Sequence, residues 1–577
     1  MRINSQYINA LKKAAEKGDD KSQLELGRLY ATGYGVTKNA KEAANWYRKA
    51  AEQSAAVNGN KDAQFMLARM YAQGVGVEQN DAEALKWYRK AAEQGHVDAQ
   101  AFLGIAYLEG VGAEKDDAEA AKWYRKAAEQ GHPEAQYNLG VAYVRGHGVE
   151  TDDAEALAWF RKAAEQGGAE AQAMLGAAYA QGLGVEKDDA EAAKWYRKAA
   201  EQGHPEAQFY LGAAYAQGHG VEKNDAEAAK WYRKAAEQDV VEAQYKLGVL
   251  HALGHGVAIS PKWAAKWYRK AAERGHAAAQ ANLGVAYLEG IGVEQNDAEA
   301  VKWFRKAAEQ GDSCAQSNLG LAYALGRGVG KNEAEGVKWF RKAAEQGVAG
   351  AQRNLGVAYA NGRGVEKNEA EGVKWFRKAA EQRSADAQAN LGEAYAGGRG
   401  VEKDDAEALT WYRKAAEQGH AAAQAKLGEI YAKGHCGGKN ESEAVKWYRK
   451  AAEQGDIYSR RMLGILNLGG GNVPQNNDES AKWFRKAADQ GDAYSQRMLG
   501  TCYCQGQGVP QSYADAAVWL RKASTQGDGG ASHLLGALYA EGLGVTKDRL
   551  EAAKLYGLAV AQGHGEALES LRGLGET

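Results

Sequence analysis

Proline is nearly missing from this chain, with five residues in 577, and cysteine is as scarce, with four. So little proline leaves helices uninterrupted, because an internal proline removes a helical hydrogen bond and clashes with the preceding turn. The cysteines, Cys314, Cys436, Cys502 and Cys504, share no spacing. No disulfide framework is therefore expected, and a reducing compartment is favoured. Cys502 and Cys504 stand two apart on a helical stretch and point to different sides, so they are not expected to bind metal together. An excess of one charge is lacking too: 73 Lys and Arg face 75 Asp and Glu, a net −2. Nucleic-acid binders usually show a basic excess, so no nucleic-acid partner is expected. No apolar run approaches the roughly 18 residues of a membrane span. The first twenty residues carry charges throughout and lack the apolar stretch of a leader. A cytoplasmic location follows as an expectation, or a periplasmic or secreted one if a signal peptide has been removed. No phosphate loop, HExxH or nucleophile elbow is present. No catalytic residue and no cofactor are expected, and the chain is not read as an enzyme.

What is present is a period. Trp87, Trp123 and Trp159 open a series that continues through Trp195, Trp231 and onward to Trp519, every step being 36 residues. Trp46 precedes the series by 41, with an insertion at 54–61, and Leu555 takes the next place. Such self-similarity marks a repeat architecture. Residues 97–132 show the unit. Ala99, Leu103, Ala106 and Tyr107 make one helical stripe, and Gly110 is placed to end that helix in the left-handed conformation. Asp116 with Glu119 reads as an N-cap pair for a second helix carrying Ala120, Trp123, Tyr124 and Ala127, which ends at Gly131. Pro133 and Pro205 suit the first turn of the next helix. Each unit is thus helix A, a loop near GxGVEKDD, helix B and a short turn. One hairpin cannot bury its own stripe, so stability must come from stacking on neighbours. A lone capping helix is predicted in residues 1–20, full repeats over 21–563 as one continuous stack, and a half-repeat cap over 564–577.

The recurrent Arg-Lys pair, as at Arg125 and Lys126, reads as a solvated helix face paired with Glu119 and Glu129. Histidines recur in the turn between repeats, among them His96, His132, His204, His276, His420 and His564. Equivalent atoms of stacked helices lie about 10 Å apart, and a zinc–nitrogen bond is about 2 Å. Turn histidines therefore cannot share an ion; they read as turn residues or N-caps, and no metal site is expected. Three stretches break the pattern. Residues 259–263 replace the acidic loop of one unit and place Trp263 there, packed on the next repeat or left exposed as an anchor. Gly-rich loops hold Cys436 and Asn472, as joints or contact points.

The residues A-Q-x-x-L-G-x-x-Y-x-x-G-x-G-V followed by A-x-x-W-[YF]-R-K-A-A-E-Q-G-H resemble the Sel-one-like repeat family, a branch of the tetratricopeptide superfamily. The likeness covers essentially the whole chain. It implies an all-α, right-handed α-solenoid superhelix of about fifteen helix pairs, with helix A lining a concave groove. It also implies a non-catalytic scaffold or adaptor that holds a protein partner, either an extended segment or a folded domain. Some bacterial members resemble immunity proteins that mask a toxin, and that remains an alternative; a carbohydrate or cell-wall binder is a weaker one. The disulfide-stapled form of the family is not matched by these four cysteines.

Counting from the Leu-Gly of each helix A, two inward places vary while the framework does not. The first holds Phe65, Tyr137, Phe209 and Tyr245 and later Arg353, Arg461 and Arg497. The second holds Arg69, Ile105 and Val141 and later Glu393 and Glu429. The groove is predicted to be apolar and aromatic in its earlier units and charged in its later ones. Aromatics and Arg are common interface anchors; the alternative is that the four rings only pack between neighbouring A helices.

Overall fold

A computed structural model describes residues 5–52, 59–435, 438–469 and 473–575. Part of the 54–61 insertion, and both Cys436 and Asn472, lie outside the described residues. Among the described residues every regular element is a helix, 32 in all, and none is long and apolar enough to cross a membrane. This is an α-solenoid fold, made of helix pairs in tandem.

The pair of residues 97–132 shows how the sequence builds it. Helix A spans Val97–Glu109 and helix B Asp117–Glu129, 13 residues each. His96 is the N-cap of helix A: its Nδ1 accepts from the Ala99 N–H at 3.3 Å. Gly110 ends that helix at φ +73°, where a Cβ would be strained. Asp116 caps helix B, accepting from the Ala118 and Glu119 N–H groups at 3.0 Å each. Glu119 does not complete the expected reciprocal box. The Asp116 N–H is already spent on the Tyr107 carbonyl, and the Glu119 carboxylate takes Lys122 at 2.7 Å instead.

Leu103 is fully buried, and Ala99, Trp123, Tyr124 and Ala127 are buried around it. The Leu-Gly that recurs in nearly every helix A, with Leu67-Ala68 as the exception, has a steric reason. A Cβ on Gly104 would stand 2.4 Å from ring carbons of Tyr124, so here glycine lets helix B close on helix A. The second glycine of the loop serves the junction between repeats. A Cβ on Gly112 would stand 2.4 Å from the Asp81 carbonyl oxygen, at the start of the preceding helix B.

Two polar ladders reinforce the stack, and neither follows from the pattern of one hairpin. Gln100 is buried, donates to the Ala92 carbonyl of the preceding helix B at 3.0 Å and accepts from Gln130 Nε2 at 2.7 Å. The same pair of bonds recurs at Gln208 with Ala200 and Gln238, and at Gln388 with Ala380 and Gln418. A buried amide must be satisfied to avoid a desolvation penalty, and here the satisfaction joins one repeat to the next. The second ladder lies on the Arg-Lys face, which is exposed as expected but has partners other than the expected glutamates. Arg197 donates to the Tyr215 hydroxyl of the following repeat at 2.6 Å, and Arg125 likewise to Tyr143. Lys126 lies over its own Trp123 ring, 4.1 Å from the centroid. The Arg partner stands 18 residues away, beyond the reach of any helix-surface spacing rule.

The chain forms two compact units, residues 1–295 and 296–577. The first opens with a single helix, Ser5–Glu16, which buries Ile8 and Ala15. The second ends with the short helix Ala567–Gly575, anchored by buried Ala567.

Candidate partner-binding face

In the first unit the varying places of helix A bring aromatic rings together. Phe65 is buried, stacked on the N-cap His96 of the next repeat at 4.3 Å between centroids. It also meets Tyr88, from its own helix B, at 5.8 Å. Burial pushes the Tyr88 phenol up to about 12, with Arg69 working against it, so this ring stays neutral. Tyr245 repeats the arrangement on His276 at 4.5 Å and Tyr268 at 6.1 Å. Tyr137 and Phe209 are half-buried, 5.8 Å from Phe160 and 5.7 Å from Tyr232. At the second place Ile105 and Val141 are half-buried, while Arg69 is exposed with its guanidinium 6.0 Å from the Phe65 centroid. The four rings therefore pack on their own helix B, and Phe65 and Tyr245 also on the following turn, while Tyr137, Phe209 and Tyr245 keep part of their surface open.

Two outward rings were not anticipated. Phe102 lies parallel to Tyr88, 5.3 Å away at an interplanar angle of 9°, yet is 42% exposed. Tyr210 stacks on Tyr196 at 5.2 Å and is 46% exposed. Both stand one residue before the Leu-Gly, a place that holds Asn in several other repeats (Asn138, Asn282, Asn318). That substitution of ring for amide was the available signal.

In the second unit the same face is polar. Arg461 and Arg497 meet the N-cap aspartates of the following helices, Asp492 at 3.2 Å and Asp528 at 3.0 Å. Arg353 reaches Asp386 more loosely, at 3.9 Å. Glu393 pairs with Arg399 at 2.7 Å, and Glu429 lies between Lys426 at 2.9 Å and Lys433 at 2.6 Å. Burial pushes the Glu429 carboxyl up, but the two lysines outweigh it and hold it below its ordinary range. Glu393, Glu429, Asn390, Tyr412 and Tyr458 line a hollow of about 530 Å³.

Trp263 is not in a loop. It occupies the first turn of the helix Pro261–Glu273, because Ser260 caps that helix and Pro261 starts it. Its ring is 47% exposed, faces His251 of its own repeat at 6.3 Å between centroids, and carries Lys266 at 4.3 Å.

Comparison with known proteins fits this geometry. The Sel1 repeat pattern matches residues 20–54, 61–96, 97–132 and further consecutive segments to 530–564. Among solved structures the chain is similar to c5321, a protective antigen of uropathogenic Escherichia coli strains displaying an SLR fold. Identity is 37% over 85% of this chain and 97% of that one, with a TM-score of 0.66. It is also similar to a Sel1 repeat protein from Oxalobacter formigenes, 35% identical over 60% of this chain and 89% of that one, TM-score 0.40. The immunity protein Pa5087 from Pseudomonas aeruginosa is more distant, 22% identical over 38% of this chain and 83% of that one, TM-score 0.23. No curated protein sequence matches. Sel1-repeat proteins are generally non-catalytic protein-interaction scaffolds. With its repeats matched from Asp20 to His564, the chain belongs to the Sel1 repeat family.

Proposed function

We propose that this chain is a non-catalytic scaffold that holds protein partners along the helix-A face, through aromatic anchors in its first unit and ion-pairing residues in its second. The observation that carries the reading is the pair of rings at Phe102 and Tyr210. Each is exposed but already stacked on a buried tyrosine. Such a ring offers apolar area at little further entropy cost, which is how interface anchors work. Buried Phe65 and half-buried Tyr137, Phe209 and Tyr245 flank them as a floor, with Arg69, Ile105 and Val141 beside them. Arg353, Glu393, Glu429, Arg461 and Arg497 supply polar specificity in the second unit. A net charge of −2 supports a protein partner over a nucleic acid.

Affinity capture with the wild type and a Phe102→Ser/Tyr210→Ser variant tests this. Both positions are exposed, so the fold should survive, as circular dichroism would show. The variant is expected to lose partners that the wild type retains. Recovery of the same partners in equal amount would remove the aromatic anchors from the account.

A further inference from the structure

At the junction of the last two helix A places, the pairing of the first varying place with the next turn takes a different chemical form. In some other repeats that place offers a ring to a histidine, as Phe65 to His96, or an Arg to an aspartate, as Arg497 to Asp528. In the helix Gly529–Glu541 it is His533, and the turn residue facing it is His564. His533 Nδ1 and His564 Nε2 are 3.1 Å apart. The Glu566 carboxylate reaches to 3.7 Å from His564 Nε2. Among the described residues this is the group of metal-ligand type whose donor atoms all lie within 4.8 Å of one another.

We propose that His533, His564 and Glu566 form a binding site for one divalent transition-metal ion of the zinc type. Three observations support it. Two nitrogens bound tetrahedrally at about 2.05 Å from zinc stand roughly 3.3 Å apart, close to the spacing already present here. Ser570 Oγ lies 2.9 Å from His533 Nε2. If Nε2 donates its proton to that oxygen, Nδ1 carries the lone pair toward His564, the arrangement in which metal-binding histidines are usually held. The two facing nitrogens then need a proton or a cation between them. Glu566 is the third ligand: its side chain is 84% exposed and free to close on the ion, leaving a position for water. Two imidazoles and a carboxylate suit zinc, copper or nickel better than calcium or magnesium.

The spacing argument against shared histidines stands for turn residues, but His533 is not one. It lies on helix A, directly opposite the turn. The ion would tie the Gly529–Glu541 helix to the terminal Ala567–Gly575 helix, which carries Ser570, and so clamp the end of the stack.

The test is calorimetric titration of the full chain, freed of metal by chelator, with zinc chloride. Cobalt uptake, read from visible d–d absorption, gives a second signal. The wild type is expected to take up one zinc ion, and His132→Ala, in an equivalent turn without a facing histidine, to do the same. His533→Ala is expected to lose uptake, and Glu566→Gln to bind at least about tenfold more weakly. Glu566 is exposed, so its variant decides the matter even if His533→Ala fails to fold. Absence of zinc uptake by the wild type overturns the site, and so does unchanged affinity in Glu566→Gln or in folded His533→Ala.

Discussion

Arg497 Nε lies 3.0 Å from a carboxylate oxygen of Asp528, and the same carboxylate caps the following helix by accepting from the Ala531 N–H at 2.8 Å. One aspartate thus serves the helix end and the junction between repeats. Loss of an N-cap costs about 1 kcal/mol, and a partly exposed ion pair about 0.5–1 kcal/mol. Asp528→Ala should therefore destabilise by about 2 kcal/mol and Arg497→Ala by less than about 1 kcal/mol. Urea unfolding of both variants and of the double variant measures the coupling. Equal effects of the two single substitutions would mean that the cap contributes nothing.

Two glycines in left-handed conformation should respond very differently. A Cβ on Gly148 (φ +72°) would stand 2.0 Å from the Asp117 carbonyl oxygen of the preceding repeat, whereas one on Gly131 (φ +91°) meets nothing within 4 Å. Gly131→Ala carries only the backbone strain, about 1–2 kcal/mol. Gly148→Ala must also push two repeats apart, so its loss in thermal stability should be clearly the larger. The reverse order would show that the loop does not set the spacing of repeats.

The glutamine ladder should be expensive to interrupt in the middle and cheap at its edge. Gln208 is buried and makes two bonds, to Ala200 and with Gln238. Gln208→Ala removes both of these bonds from a buried site, although the Ala200 carbonyl keeps the Gly203 N–H and Gln238 Nε2 keeps the Gly203 carbonyl, and should cost about 1–3 kcal/mol. Gln238 is exposed, so water replaces it, and Gln238→Ala should cost under about 1 kcal/mol. Chemical denaturation of the two variants distinguishes them.

The arginine–tyrosine ladder is exposed, and its bonds compete with water. Tyr215→Phe, which removes the hydroxyl that Arg197 meets at 2.6 Å, should lower stability by no more than about 1 kcal/mol. A larger loss would mean that this contact is shielded from solvent in solution.

Most of what spacing sets within a single hairpin was readable in advance, the Glu119 half of the capping box excepted. Gly110 ends its helix, Asp116 caps the next, His96 caps the helix after its turn, and Leu103 and Trp123 are buried. Helical period and cap chemistry are local properties. What escaped lies between repeats. The partner of Arg197 is 18 residues away and that of Gln238 is 30 away, and no helix-surface rule joins residues at those separations. Trp263 was misplaced because the missing acidic residues concealed a helix start that Ser260 and Pro261 provide by other means. Rings were expected at Phe65, Tyr137, Phe209 and Tyr245 on the varying helix-A places, and each packs on its own helix B. Phe102 and Tyr210 were passed over because the place one before the Leu was not counted among the inward ones.

The central claim, that partners lie along the helix-A face, is tested most directly by hydrogen–deuterium exchange of the chain alone and with a captured partner bound. The account expects added protection in helices such as Val97–Glu109, Pro205–Gln217 and Val241–Leu253, with the B helices Asp117–Glu129 and Asp225–Glu237 unchanged. Protection confined to the B helices, with helix A exchanging as in the free chain, would contradict it.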